Sequence, residues 1–152
     1  MTEQFSNDLF TMLHLATHGH FGNTPEETFL LTYDGKMPMN TLEHLIKANR
    51  FHNPNIELLT LSACTTAMGD ERAALGMAGA AIKAGVKSVI ATLWQIDDEI
   101  SSEIVKHFYN DYIKSDVSKA IALQNAQKKC IQNTKYSHPA YWAPFMLIGN
   151  WM

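Results

Sequence analysis

Short apolar runs alternate with helical patterns along the whole chain, and this alternation strongly restricts how it can fold. The apolar runs, each compatible with a buried strand, cover residues 12–16, 29–32, 56–63, 87–94 and 143–149. The helical patterns cover residues 41–49, 72–84, the stretch from the acidic run at 97–99 to the break at 115–116, and 117–133. Strands that alternate with helices are typical of a sheet covered by helices on both faces. We therefore predict an α/β fold, a three-layer sandwich with a mostly parallel sheet.

The helix at 72–84 differs from the others because it is apolar on nearly all sides and rich in Ala and Gly. A helix of this kind is expected to be buried, with close approach of a neighbouring backbone. Gly85 follows directly and is well placed to end it.

Composition argues against several classes of function. The net charge is -3 with a sequence pI near 6.1, and no cluster of Lys and Arg offers a surface for nucleic acid. No signal peptide is visible at the N-terminus, and the longest apolar stretch, 73–82, is far shorter than a membrane span. Two cysteines in such a chain indicate a reducing compartment, so we expect a cytoplasmic protein.

Two chemically active side chains follow predicted strands. His18 comes at the end of the first run and Cys64 at the end of the 56–63 run. Active sites of parallel sheets gather at the carboxyl ends of the strands. An imidazole beside a thiol sustains the thiolate, and the N–H groups of Gly19 and Cys64 could serve as an oxyanion hole. The alternative is structural, with Cys64 a small buried residue and His18 a turn histidine bonded to backbone.

Several ordered segments carry a resemblance to a known family. They are LHLATHGHF, LLTLSACTTAMG, AGAAIKAGVKSVIATLWQIDDE, KAIALQNAQ and HPAYWAPFMLIGNW. In this order they resemble the CHAT family of caspase-like peptidases, which is related to caspases and separases and often occurs beside tetratricopeptide repeats. The resemblance places the family's histidine on His18, its nucleophile on Cys64 and its oxyanion donors on the backbone of Gly19 and Cys64. It implies a cysteine endopeptidase that needs no metal or cofactor.

The chain departs from the family pattern at two places. Thr65 follows the nucleophile where members commonly carry an acidic residue, and only residues 1–11 precede the histidine strand. We therefore expect residues 1–152 to form a single domain that lacks N-terminal strands of the complete family domain. An uncovered strand edge would be a docking site or an aggregation risk.

Two further groups of residues were weighed as parts of a site. His14, His18 and His20 have a spacing that could suggest zinc, but no acidic ligand follows closely, so we predict no metal site and expect His14 to be a core or second-layer residue. Asp97 and Asp98 could cap a helix or could face a substrate pocket that prefers a basic residue. Trp94 is a candidate wall of that pocket. Cys130 is expected in the core.

The sequence thus predicts a cysteine endopeptidase acting on a specific protein and gated by an upstream domain or partner, of the tetratricopeptide type in related proteins. The rival interpretation is a non-catalytic module that keeps the same fold for docking or signalling. We expect neither nucleic acid nor membrane as a partner.

Overall fold

The computed structural model describes residues 10–20, 22, 27–50, 56–62, 64–65 and 71–152, with the backbone alone for residues 49–50, 64–65 and 71–74. The strands are β1 Met12–Leu15, β2 His18–His20, β3 Phe29–Thr32, β4 Gly35–Pro38, β5 Leu58–Leu61, β6 Cys64–Thr65, β7 Ser88–Thr92 and β8 Phe145–Gly149. The helices are α1 Met39–Arg50, α2 Glu71–Ala84, α3 Asp98–Lys114, α4 Lys119–Gln132 and α5 Pro139–Trp142. The predicted alternation of strands and helices is confirmed.

The main sheet has the order β1-β5-β7-β8. Its first three strands are parallel and β8 is antiparallel to β7. All four residues of β5 and all five of β7 are buried, as expected for central strands covered on both faces. This burial is why both strands read as continuous apolar runs in the sequence.

Helices cover both faces of the main sheet and create two separate cores. Leu59 of β5 packs in one core with α1 and α2, which contribute Ile46 and Met77. Its neighbour Leu58 packs in the other core with α3 and α4, including Phe108. Successive strand residues point to opposite faces, so one strand supplies both cores. The predicted three-layer sandwich with a mostly parallel sheet is confirmed.

A second, smaller sheet has the order β4-β3-β2-β6 and was not expected from the sequence. It consists of the β3–β4 hairpin, which pairs Phe29 with Pro38, together with two very short strands. His18 was expected at the end of the first predicted strand, whereas this segment forms a separate strand. It is a strand because β2 has partners on both sides, antiparallel β3 and parallel β6.

One register runs through both sheets. Each residue of β1 is paired with the residue 46 positions later, as Met12 is with Leu58, and β2 keeps that offset, with His18 paired with Cys64. The parallel pair β1–β5 therefore leaves the main sheet and continues as β2–β6 without a change of register. A slip of one residue would reverse every side chain, so the buried core strands fix the alignment at His18 as well.

Helix α2 ends where the sequence indicated, but its packing differs from expectation. The N–H groups of Gly85 and Val86 donate to the carbonyls of Ile82 and Ala81, and Gly85 has φ 117°, which closes the helix with a Schellman motif. However, Gly76 and Gly79 are exposed, and a Cβ on either would meet nothing within 4 Å. The prediction of close backbone approach at these glycines was wrong; the buried face is formed instead by Met77, Ala78, Ala81 and Ala84.

Candidate active site

His18 and Cys64 lie opposite each other on neighbouring strands. They are directly paired in the parallel ladder between β2 and β6. Neighbouring strands run about 4.8 Å apart, so the backbone brings the two residues to adjacent positions. The His18 side chain is exposed. The side chain of Cys64 lies outside the described part of the chain, and its role as nucleophile stays a prediction.

A cleft of about 440 Å³ lies beside His18. It is bounded by the segment from β1 to β2, by the residue that follows β5, and by the first turns of α3. The lining residues are His14, Ala16, Thr17, His18, Ser62, Asp98, Ser101, Ser102, Val105 and Lys106. We call it the polar cleft after the hydroxyl, imidazole, carboxylate and ammonium groups among these residues, although apolar atoms form most of its surface.

A second cleft, of about 450 Å³, lies along the same segment, and Leu15, Leu30 and Met37 line one part of it. His14, Ala16 and Thr17 line both clefts. This short segment between β1 and β2 is therefore a wall common to the two clefts.

His14 lines the polar cleft, so the core position considered from the sequence is wrong, and the second-layer alternative remains. Its side chain is only partly exposed, and its Nε2 is 2.9 Å from the hydroxyl of Ser62. The ring centroid lies 5.8 Å from that of Tyr109, whose hydroxyl is 2.8 Å from Thr60 Oγ1. Partial burial among these groups lowers the pKa of the His14 imidazole below its usual value, so the ring is neutral near pH 7.

Sequence reasoning missed Ser62. Its position two residues before Cys64, and that of His14 four residues before His18, are visible in the sequence. Their contact becomes evident only when the register of β1 against β5 is known, because 48 positions separate the two residues.

The acidic run after β7 separates into different roles. The Asp97 carboxylate accepts a hydrogen bond from the N–H of Glu99 at 2.9 Å and caps α3. Asp98 lines the polar cleft with His18. Trp94 is 37% exposed and its indole N–H donates to the carbonyl of Ala140 at 3.1 Å, so its ring lies against α5.

Gly19 is buried within β2, between Leu30 of β3 and Thr65 of β6. A backbone at this point lies at the level of His18 and Cys64, where the oxyanion donors were predicted. The assignment of Gly19 and Cys64 as those donors stays a prediction.

The histidines considered for zinc have separate partners. His20 stacks on Phe29 with ring centroids 5.2 Å apart, whereas His14 contacts Ser62. Among the residues whose placement is described, no group of three or more His, Cys, Asp or Glu side chains is arranged to hold a metal ion. Within the same residues, none of the helices has the length and apolar character needed to span a membrane.

Cys130, the other cysteine, is buried in the core between α3 and α4, as expected. Burial raises the pKa of its thiol, with a smaller contribution from the negative charge of Glu103. A thiol with these properties is a poor nucleophile near neutral pH.

Comparison with known proteins places these features in a family. The family model described as "CHAT domain" matches residues 2–150. Tetratricopeptide repeat protein 28 from Homo sapiens is 32% identical over 77 residues, which cover 50% of this chain and 3% of that protein. Tetratricopeptide repeat protein 28 from Mus musculus is 31% identical over 99 residues, which cover 63% of this chain and 4% of that protein. The match thus spans a small fraction of each relative.

Proposed function

The chain belongs to the CHAT-domain family, a caspase-like peptidase family, and from this premise we propose that it is a cysteine endopeptidase with Cys64 as nucleophile and His18 as base. The observation that carries the proposal is the direct pairing of His18 with Cys64 across β2 and β6. Both residues also follow strands of the main sheet at its carboxyl edge, where such sheets place their active sites.

The proposed reaction is acyl transfer to the thiol, followed by hydrolysis. His18 takes the proton of the Cys64 thiol, and the sulfur attacks the carbonyl carbon of the scissile peptide bond. Backbone N–H groups of Gly19 and Cys64 are the proposed donors to the oxyanion that forms. His18 then returns the proton to the departing amine, and the C–N bond breaks. Water, deprotonated by His18, attacks the thioester and releases the acid with the free thiol.

We propose that the polar cleft binds the substrate side chain next to the reacting carbonyl. Asp98 is the acidic residue of its lining, and Asp97, whose carboxylate caps α3, is not part of that lining. We propose Asp98 as the residue that favours a basic side chain of the substrate. Lys106 lies in the same cleft and opposes this preference where the two charges are close. Trp94 is not among the residues that line the polar cleft, and it would contact only a substrate that extends toward α5.

The relatives support a proposal about regulation. Both are tetratricopeptide repeat proteins, and the matched segment is 3–4% of their length. We propose that repeats of this type, in the same polypeptide or in a partner, gate access of a protein substrate to the cleft. A thiolate nucleophile works only when reduced, so the cytoplasm is the proposed compartment.

Covalent labelling tests the dyad directly. The chain would be treated with a panel of peptidyl acyloxymethylketones, and the modified residue would be identified by mass spectrometry. We expect labelling at Cys64 that is lost in Cys64→Ala and reduced at least a hundredfold in His18→Ala. His44→Ala, which removes an exposed histidine of α1, is the matched control and should label like wild type.

The second cysteine provides an internal reference in the same sample. If Cys64 reacts no faster than a small free thiol, and Cys130 as slowly as its burial implies, the peptidase proposal is wrong for this chain. That result would favour the rival function, a docking or signalling module with the same fold.

A further inference from the structure

We propose that His14 is a positioning residue for the Cys64–His18 pair, acting through its hydrogen bond to Ser62. The bond ties the two strands together immediately before they present the reacting residues. This inference rests on the proposed function, because it explains the contact between His14 and Ser62 by its effect on the proposed catalytic pair. The contact includes neither Cys64 nor the substrate carbonyl.

Ser62 is held by β1 in two ways. Its N–H donates to the carbonyl of Leu15 at 3.2 Å, and its hydroxyl is 2.9 Å from Nε2 of His14. Both the backbone and the side chain of this one residue are therefore fixed to the neighbouring strand. Because Ser62 precedes Cys64 by two residues, its position sets where the chain enters β6.

The bond lies at the point where the paired strands change sheets. Two residues, 16 and 17, connect β1 to β2, and residues 62 and 63 connect β5 to β6. The Thr17 hydroxyl donates to the carbonyl of Leu31, so the first connection is anchored to β3. The contact between Ser62 and His14 anchors the second connection to β1. Together they carry the common register across the junction.

The surroundings suit a neutral, hydrogen-bonding imidazole. The polar cleft brings Asp98 and Lys106 of α3, one of each charge, and His18 to the same space. On the other side the ring contacts Tyr109, whose hydroxyl is engaged with Thr60. Partial burial disfavours the charged ring, and the neutral ring can bond to Ser62 through Nε2 as donor or as acceptor.

Catalytic pairs are sensitive to small displacements. A misplacement of about 1 Å can lower a rate on the order of a hundredfold even when the change is distant from the reacting atoms. Loosening the junction should therefore weaken the contact that stabilises the thiolate, which would slow alkylation and shift its pH dependence upward. A contact that only stabilised the fold would leave that pH dependence unchanged.

The test measures the rate of Cys64 alkylation by iodoacetamide from pH 5 to pH 9 in the full 152-residue chain. The variants are His14→Phe, Ser62→Ala, the double variant, and His14→Gln, which keeps a side-chain amide for the bond. Tyr109→Phe is the control: it removes the neighbouring hydrogen bond between α3 and Thr60 of β5 but retains the ring beside His14. Urea unfolding of every variant verifies that it is folded.

We expect His14→Phe and Ser62→Ala each to slow alkylation at pH 7 about tenfold and to raise its pH midpoint, with the double variant no slower than either. His14→Gln should recover part of the loss, and Tyr109→Phe should lower stability without moving the midpoint. If wild-type Cys64 is activated and the His14 and Ser62 variants keep its midpoint, the positioning role is refuted and the proposed function stands. If wild-type Cys64 is not activated, both are refuted.

Discussion

Gly149, the last residue of β8, should tolerate no side chain. Its φ is +101°, a region that residues with a Cβ rarely adopt. A Cβ at this position would also overlap the carbonyl oxygen of Lys87 and would lie 2.9 Å from Cδ1 of Ile82. The Lys87 carbonyl is not free to withdraw, because it accepts a hydrogen bond from the N–H of Asn150 at 2.8 Å.

Two costs determine how much Gly149→Ala should lower the free energy of unfolding. A non-glycine residue at a strained φ costs about 1–3 kcal/mol, and relieving the overlap adds a shift of backbone between β7 and β8. We expect Gly149→Ala to lower the free energy of unfolding by about 3 kcal/mol. That is a large share of the roughly 5–15 kcal/mol that holds a domain together.

The matched control is a second glycine-to-alanine substitution, at Gly79, for which we expect the opposite change in the free energy of unfolding. Gly79 is exposed within α2 and a Cβ there meets nothing within 4 Å. Gly79→Ala should raise the free energy of unfolding by about 0.5–1 kcal/mol. Urea unfolding followed by far-UV circular dichroism measures both, provided that the m value is unchanged. A loss below about 1 kcal/mol for Gly149→Ala would refute the reasoning from φ and overlap.

Three further outcomes are expected. Leu59 is fully buried at 0% exposure, so Leu59→Ala should lower the free energy of unfolding in urea by about 3 kcal/mol. A loss as small as that for an exposed leucine would contradict its place in the core. The pKa of His14 in the folded chain lies below its usual value of 6.5, so the unfolded chain binds the proton more readily. The stability that depends on a neutral His14 is therefore complete above pH 6.5. It is lost as the pH falls from there toward the folded-state pKa. His14→Gln should therefore flatten the decline in urea midpoint over that window, and an unchanged slope would show that other groups cause it. Cys130 should react with iodoacetamide at pH 7 at least tenfold more slowly than a small thiol until urea unfolds the chain, and fast labelling of the folded state would contradict its burial.

The main sheet could be predicted from the sequence because its central strands are buried on both faces. β5 and β7 have no exposed residue, so each reads as a mainly apolar run in which the few polar residues are Thr and Ser. The second sheet could not be predicted in this way. β6 has two residues and β2 has three, too few to show an alternating pattern, and each exists because a neighbouring strand pairs with it.

The predicted site follows the same division. The rule for strand ends put His18 at the sheet edge, and Asp97 and Asp98 were both candidates for the pocket. His18 and Asp98 line the polar cleft and Asp97 does not, and the roles of all three stay predictions. The contact between His14 and Ser62 depends on long-range register, which local pattern does not contain. The expectation for Gly79 failed for a different reason, since small residues on a helix indicate close packing only when another backbone lies opposite them.

The constant offset of 46 positions determines where such a chain can accept insertions and deletions during evolution. Alignment of His18 with Cys64 is set by strands on either side of a long excursion that holds the β3–β4 hairpin and α1. Insertions or deletions within that excursion should leave the two residues level with each other, because loop closure depends only weakly on length. New segments could be inserted there while the pairing of His18 with Cys64 is retained. Fragments split within the excursion could likewise reassemble through β1 and β5.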